Sequence, residues 1–159
     1  LSTLTAVRAS RGFTLVEVMV VMVIIGIVLG MVSLNAIPSP RQNLQNEAQR
    51  LALLLQLARD EAIVRNRLVT FEANSERYRF LVRNENRWDP VTQDDLLRER
   101  PFKYTPLTLL LDPPGAGSSD PMRITFGREP VDKPFVLTLA IGDDHVAIRA
   151  DGIGHFTVE

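Results

Sequence analysis

The chain has 159 residues, with 18 Lys and Arg against 19 Asp and Glu, and this near balance excludes a strongly basic nucleic-acid binder and a long acidic tail. There is no Cys, so disulfides, thiolate metal sites and Cys nucleophiles are excluded as well. The length leaves room for one globular domain beside an apolar segment, and about 120 residues can build a core without covalent staples.

The first element is an apolar run from Phe13 to Leu34, preceded by Arg8 and Arg11 and carrying a single charged residue, Glu17. A helix of roughly 20 predominantly apolar residues crosses a bilayer, and this run has that length. A carboxylate within such a run costs about 2.5–3.5 kcal/mol on insertion scales and calls for a partner or a functional reason. A secretory signal peptide accounts for the basic residues, but the core is long and Ser33-Leu34-Asn35-Ala36 makes a poor cleavage site. A plain membrane anchor fits length and charge, with the N-terminus cytoplasmic by the positive-inside rule. Neither reading explains Glu17. Gly26 and Gly30 form a G-x-x-x-G pair on one helix face, a spacing that permits close helix approach and is also common in membrane helices generally.

Arg11-Gly12-Phe13-Thr14-Leu15-Val16-Glu17, followed by a β-branched apolar helix, resembles the class III signal of type IV pilins and pseudopilins. The resemblance implies that a prepilin peptidase cuts between Gly12 and Phe13 and that the new N-terminal Phe13 is methylated. It makes Glu17 the fifth residue of the mature chain. There it can pair with the Phe13 ammonium of an adjacent subunit, which offsets the burial of both charges and favours correct axial register.

Pro38 and Pro40 mark the place where a helix ends or kinks. Beyond them Leu44, Ala48, Leu51, Leu55, Ala58 and Ala62 recur at alternating spacings of four and three. Leu54 and Ile63 widen this stripe, and Arg50, Arg59, Asp60 and Arg65 lie largely off it. This predicts an amphipathic helix covering a sheet. From Leu68 the period becomes two. Val69, Phe71 and Ala73, a turn at Asn74-Ser75, then Tyr78, Phe80 and Val82 predict a hairpin with one buried face. The stretch 84–106 reads as polar and irregular, anchored by Trp88 and Phe102. Further strands are expected at 107–111, 123–126, 135–141, 145–150 and 155–158, with an exposed loop over 112–121 and turns at Gly142-Asp143-Asp144 and Asp151-Gly152.

The plan is α+β: a long N-terminal helix, its first half transmembrane, packed on an antiparallel two-sheet β domain. Its segments are a leader at 1–12, a membrane and filament-core helix at 13–36, an amphipathic periplasmic helix at 37–66 and the β domain at 67–159. With Glu47-Ala48-Gln49-Arg50-Leu51 and Leu57-Ala58-Arg59-Asp60-Glu61-Ala62 on the second helix, the chain resembles the GspH/FimT group of pilin-like proteins. The resemblance implies a minor pseudopilin of type II secretion, near the tip of a periplasmic pseudopilus that drives export of folded proteins. It implies a single-pass protein of the bacterial inner membrane with its C-terminal domain periplasmic. The implied partners are the prepilin peptidase, the other minor and the major pseudopilins, the inner-membrane secretion platform, and membrane lipid before assembly. A minor pilin of a type IV pilus or DNA-uptake filament, and a membrane-anchored binding domain that never polymerises, remain the alternatives.

Catalysis finds little support. His145, with Asp144 beside it, and His155 fall in strand patterns with no nucleophile placed by any motif, and Gly115-Ala116-Gly117 precedes Pro121 rather than a helix. Asp112, Asp120, Asp132, Asp143, Asp144 and Asp151 are scattered among Pro and Gly and read as solvated turns, so neither metal nor cofactor is expected. Arg77, Arg79, Arg83 and Arg87 alternate along and after a hairpin strand, but Glu72, Glu76, Glu85 and Asp89 are interspersed. A mixed-charge solvent face is therefore expected, and no nucleic-acid partner.

Overall fold

The computed structural model describes residues 13–34, 39–92, 94–114 and 120–159, with side chains of the first stretch described to Met31. The leader with Arg8, Arg11 and Gly12, the residues around Pro38, and Gly115–Ser119 lie outside the described residues. The chain forms two compact units, divided between Pro38 and Ser39.

The first unit contains α1 (Leu15–Leu34). The second opens with α2 (Pro40–Val64), whose start is set locally. Ser39 is extended, its side chain accepts from the Gln42 N–H at 3.2 Å, and Pro40 occupies the first turn, where a missing N–H costs nothing. The C-terminus is closed by a Schellman arrangement. The Arg67 N–H reaches Ala62 O at 3.0 Å, the Asn66 N–H reaches Ile63 O at 3.2 Å, and Asn66 takes the left-handed conformation at φ +52.

Nine strands follow among the described residues: β1 (Val69–Ala73), β2 (Arg77–Asn84), β3 (Arg87–Pro90), β4 (Arg100–Pro101), β5 (Thr108–Asp112), β6 (Met122–Phe126), β7 (Phe135–Ile141), β8 (Asp144–Ala150) and β9 (Phe156–Val158). One antiparallel sheet runs β3-β2-β1-β6, with β4 also on β2, and the other runs β5-β7-β8-β9. All six residues of the four-and-three stripe on α2 are buried, and α2 packs on strands of both sheets. Phe71, Tyr78 and Phe80 of the first sheet form one aromatic cluster with Phe102, just past β4. Phe126, Phe135 and Phe156 form a second, with ring centroids 6.2–6.5 Å apart, and it joins β6 of one sheet to β7 and β9 of the other.

The α+β class with an antiparallel two-sheet domain matches the sequence reading, whereas the helical part is two helices, α2 starting afresh at an extended Ser39, and the remaining differences are local. Residues 84–106 hold β3 and β4 rather than wholly irregular chain. Phe102 is buried as expected, but Trp88 is 37% exposed and anchors nothing; Leu97 fills the core instead. Arg59 does not stay off the helix stripe. It is 8% exposed and its guanidinium donates to Pro130 O, because the segment after β6 folds over that part of α2. The hairpin does not have only one buried face: every residue of β1 is buried, since it is a central strand between β2 and β6.

Candidate assembly site on the N-terminal helix

Thr14 caps α1. Its Oγ1 accepts from the Glu17 N–H at 3.3 Å, and its carbonyl accepts from the N–H groups of Glu17 and Val18 at 3.1 and 3.3 Å. Glu17 therefore sits in the first helical turn, where the helix dipole itself favours a carboxylate by about 0.3–1 kcal/mol. That is less than the cost of burying the charge in hydrocarbon, so capping alone does not account for Glu17.

Every described residue of α1 is exposed, and Phe13 ahead of it is 77% exposed. A helix that is apolar on all sides is stable only when something covers it. Nothing lies within 4 Å of where a Cβ would stand on Gly26 or Gly30, so both leave an open notch on the helix. Glu17 has no ion-pair partner among the described residues. Among those residues no helix is long and apolar enough to cross a membrane, so a membrane-crossing role for the run 13–34 rests on the sequence. Glu17, Gly26 and Gly30 thus share one uncovered helix, Phe13 lies just ahead of it, and Gly12 lies outside the described residues.

His155 Nδ1 lies 2.7 Å from Asp151 Oδ2, and Asp151 Oδ1 accepts the N–H groups of Ile153, Gly154 and His155 at 2.8–3.1 Å. The pairing is therefore Asp151 with His155, not Asp144 with His145, and it fastens a turn. Partial burial acts to raise the Asp151 carboxyl, but the Ile153 N–H, the His155 ring and the His155 N–H together hold it at about 2. Among the described residues no group of three or more metal-ligating side chains gathers.

Arg77, Arg79 and Arg83 occupy the solvent side of β2, as the alternation predicts, but two of the three are tied to carboxylates. Arg77 pairs with Glu99 at 3.1 Å, and Arg79 Nε donates to Glu72 Oε1 at 2.6 Å. Glu72 also takes Arg123 Nε on Oε2 at 2.7 Å. Sequence reading missed this triad because Glu72 occupies the outward position of a plain alternating strand, and only the β1–β6 register brings Arg123 beside it. It placed Tyr78 on the buried face but missed its partner: the Tyr78 hydroxyl accepts from Arg50. Burial pushes the phenol above its ordinary value against the pull of that guanidinium.

The fold is pilin-like: a helix laid across two small antiparallel sheets, preceded in sequence by a capped helix that is apolar all round. It resembles the minor pseudopilin EpsH from the type 2 secretion system of Vibrio cholerae at TM-score 0.56 and 18% identity, over 74% of this chain and 96% of that one. It also resembles the type IV minor pilin FimU of Pseudomonas aeruginosa at TM-score 0.54 and 19% identity, over 75% and 90%. The chain belongs to the family described as Type II transport protein GspH, which matches residues 47–154, and residues 7–33 match the prokaryotic N-terminal methylation motif. It is 41% identical over 108 residues to the Type II secretion system protein H of Pseudomonas aeruginosa, a stretch covering 66% of this chain and 61% of that relative.

Proposed function

We propose that the chain is a minor pseudopilin of a type II secretion system, a structural subunit and not an enzyme, that enters a periplasmic pseudopilus near its tip. The observation that carries this reading is α1, apolar on every side with one carboxylate in its first turn and no covering partner among the described residues. Membership of the GspH family and the methylation motif on the same chain support it.

Before assembly the run 13–34 anchors the chain once in the inner membrane, with the N-terminus cytoplasmic and the β domain periplasmic. The prepilin peptidase cuts between Gly12 and Phe13, freeing an ammonium on Phe13 that is then methylated. In the filament, Glu17 pairs with that ammonium on a neighbouring subunit, so a misplaced subunit is left with an unpaired buried charge. Gly26 and Gly30 let neighbouring helices approach closely. The neighbours are the other minor pseudopilins and the major pseudopilin, resting on the inner-membrane platform.

Glu17→Ala tests the carboxylate. We expect insertion and cleavage to proceed, with a mature N-terminus at Phe13, while crosslinks to neighbouring pseudopilins are lost. Normal crosslinking of the variant would reject the role of Glu17. Retention of Leu1–Gly12 in cells with active peptidase would instead identify an anchored domain that never polymerises. The fold likeness to FimU favours a second reading, a type IV pilus minor pilin. Deleting the gene distinguishes them: secretion fails on the first reading, whereas pilus formation or DNA uptake fails on the second.

A further inference from the structure

One end of the β3-β2-β1-β6 sheet is an open groove of about 830 Å³ that carries four arginines: Arg67 from the turn into β1, Arg83 near the end of β2, Arg87 at the start of β3, and Arg128 after β6. Most other described arginines have a carboxylate within 4 Å. These four have none among the described residues. Two are instead held by neutral groups. Arg67 Nη1 donates to Asn84 Oδ1 at 2.8 Å, and Arg83 Nη2 donates to Asn86 Oδ1 at 3.2 Å while its guanidinium lies 5.6 Å from the centroid of the Trp88 ring. Amide and indole partners orient a guanidinium without neutralising it, so the charge stays available for a ligand.

The walls are fixed as well. Arg67 follows the Schellman closure of α2, and Glu85, at the head of the two-residue turn between β2 and β3, holds φ +51. A φ in that range ordinarily favours Gly. A Glu retained in the left-handed region is backbone strain of the kind that collects at binding sites.

We propose that this groove docks an acidic segment of a partner protein, with the arginine forks taking its carboxylates. The surroundings favour a short acidic peptide over a nucleic acid. From Ser39 onward the chain has 16 basic and 18 acidic residues, a net charge of 16 − 18 = −2. Glu85 is the one carboxylate lining the groove among the described residues, and Glu61, Asp89, Asp94 and Asp95 line the adjoining cleft beyond Arg67 and Asn84. A long polyanion leaving the groove meets these carboxylates, whereas a short segment ends before them. The docking reading does not depend on the filament reading.

The test is fluorescence polarisation of a labelled Glu-Gly repeat peptide with the full chain in detergent. Arg87→Glu with Arg128→Glu is the groove variant, since neither side chain makes a hydrogen bond among the described residues and folding is not threatened. Exposed Arg41→Glu on α2 is the control. We expect the wild type to bind, more weakly as salt rises from about 50 to 200 mM, the groove variant to lose at least about tenfold, and the control to stay within about twofold. Circular dichroism melts of all three keep folding separate from binding. Absence of peptide binding, or equal losses in groove and control variants, would overturn the proposal. Tighter binding of a thymidine oligonucleotide of matched charge than of the peptide would overturn it in favour of nucleic acid, and preferential binding to phosphatidylglycerol vesicles would do so in favour of a lipid surface.

Discussion

Glu72 is 3% exposed, and its two oxygens are shared between Arg79 on β2 and Arg123 on β6, both directly opposite in register. The two arginine side chains are 44% and 59% exposed, so solvent screens their share of the interaction. Arg79→Ala alone leaves Glu72 its other partner and is expected to cost about 0.5–1 kcal/mol, and Arg123→Ala alone the same. The double variant leaves a buried carboxylate with no cation, a change of about 3–5 kcal/mol. Non-additivity of at least about 1 kcal/mol is the signature. For the roughly 120 residues of the Ser39–Glu159 unit, 1 kcal/mol corresponds to about 4 °C in Tm. Thermal unfolding of that unit by circular dichroism at pH 7 should therefore give losses of about 2–4 °C for each single variant and about 12–20 °C for the double. Adding Glu72→Gln to the double variant should restore most of the loss, since no charge remains to be buried. A double loss equal to the sum of the singles would refute the shared-carboxylate reasoning.

Gly152 holds φ +82, and a Cβ there would collide with the Asp132 carbonyl, whereas Gly142 at φ +59 has nothing within 4 Å. Gly142→Ala should cost about 1–2 kcal/mol from backbone strain alone, and Gly152→Ala clearly more, as read from urea midpoints; equal shifts would discard the role of the close approach. Because Asp151 is held at about 2 against an ordinary 3.8, its contribution to stability is complete above the ordinary value and is lost as pH falls toward about 2. The difference in Tm between wild type and Asp151→Asn should accordingly shrink from pH 5 to pH 2, and a constant difference would contradict it.

Periodicity made much of the second unit legible. The four-and-three stripe on α2 turned wholly inward, and the Val69-Phe71-Ala73 and Tyr78-Phe80 alternations gave the central hairpin. What escaped was decided by contacts distant in sequence. Glu72 is buried because β6, about fifty residues later, lies beside β1, and Arg59 is buried because the chain near Pro130 crosses it. The strands β3 and β4 are too short and too polar to display a period. Trp88 misled because its size suggests a core residue, yet it lies on the surface against Arg83. The proposed assembly site on α1 was readable as motif and composition, because its residues lie on one uncovered helix and need no fold to bring them together. The arginine groove was only half legible: Arg83 and Arg87 lie four apart in sequence, while Arg67 and Arg128 join them through the sheet.

The extended backbone at Ser39, with its side chain capping α2, has a geometric consequence for how the two units can vary. In an unbroken helix, one residue inserted upstream rotates everything downstream by about 100°. A helix that starts afresh at its own cap sets its rotational phase from Ser39 forward. The inward stripe of α2 is then indexed to the β domain it covers, independently of the number of residues that precede it. The two helices are cut to separate gauges, and the length of the first can drift without turning the second away from its sheets.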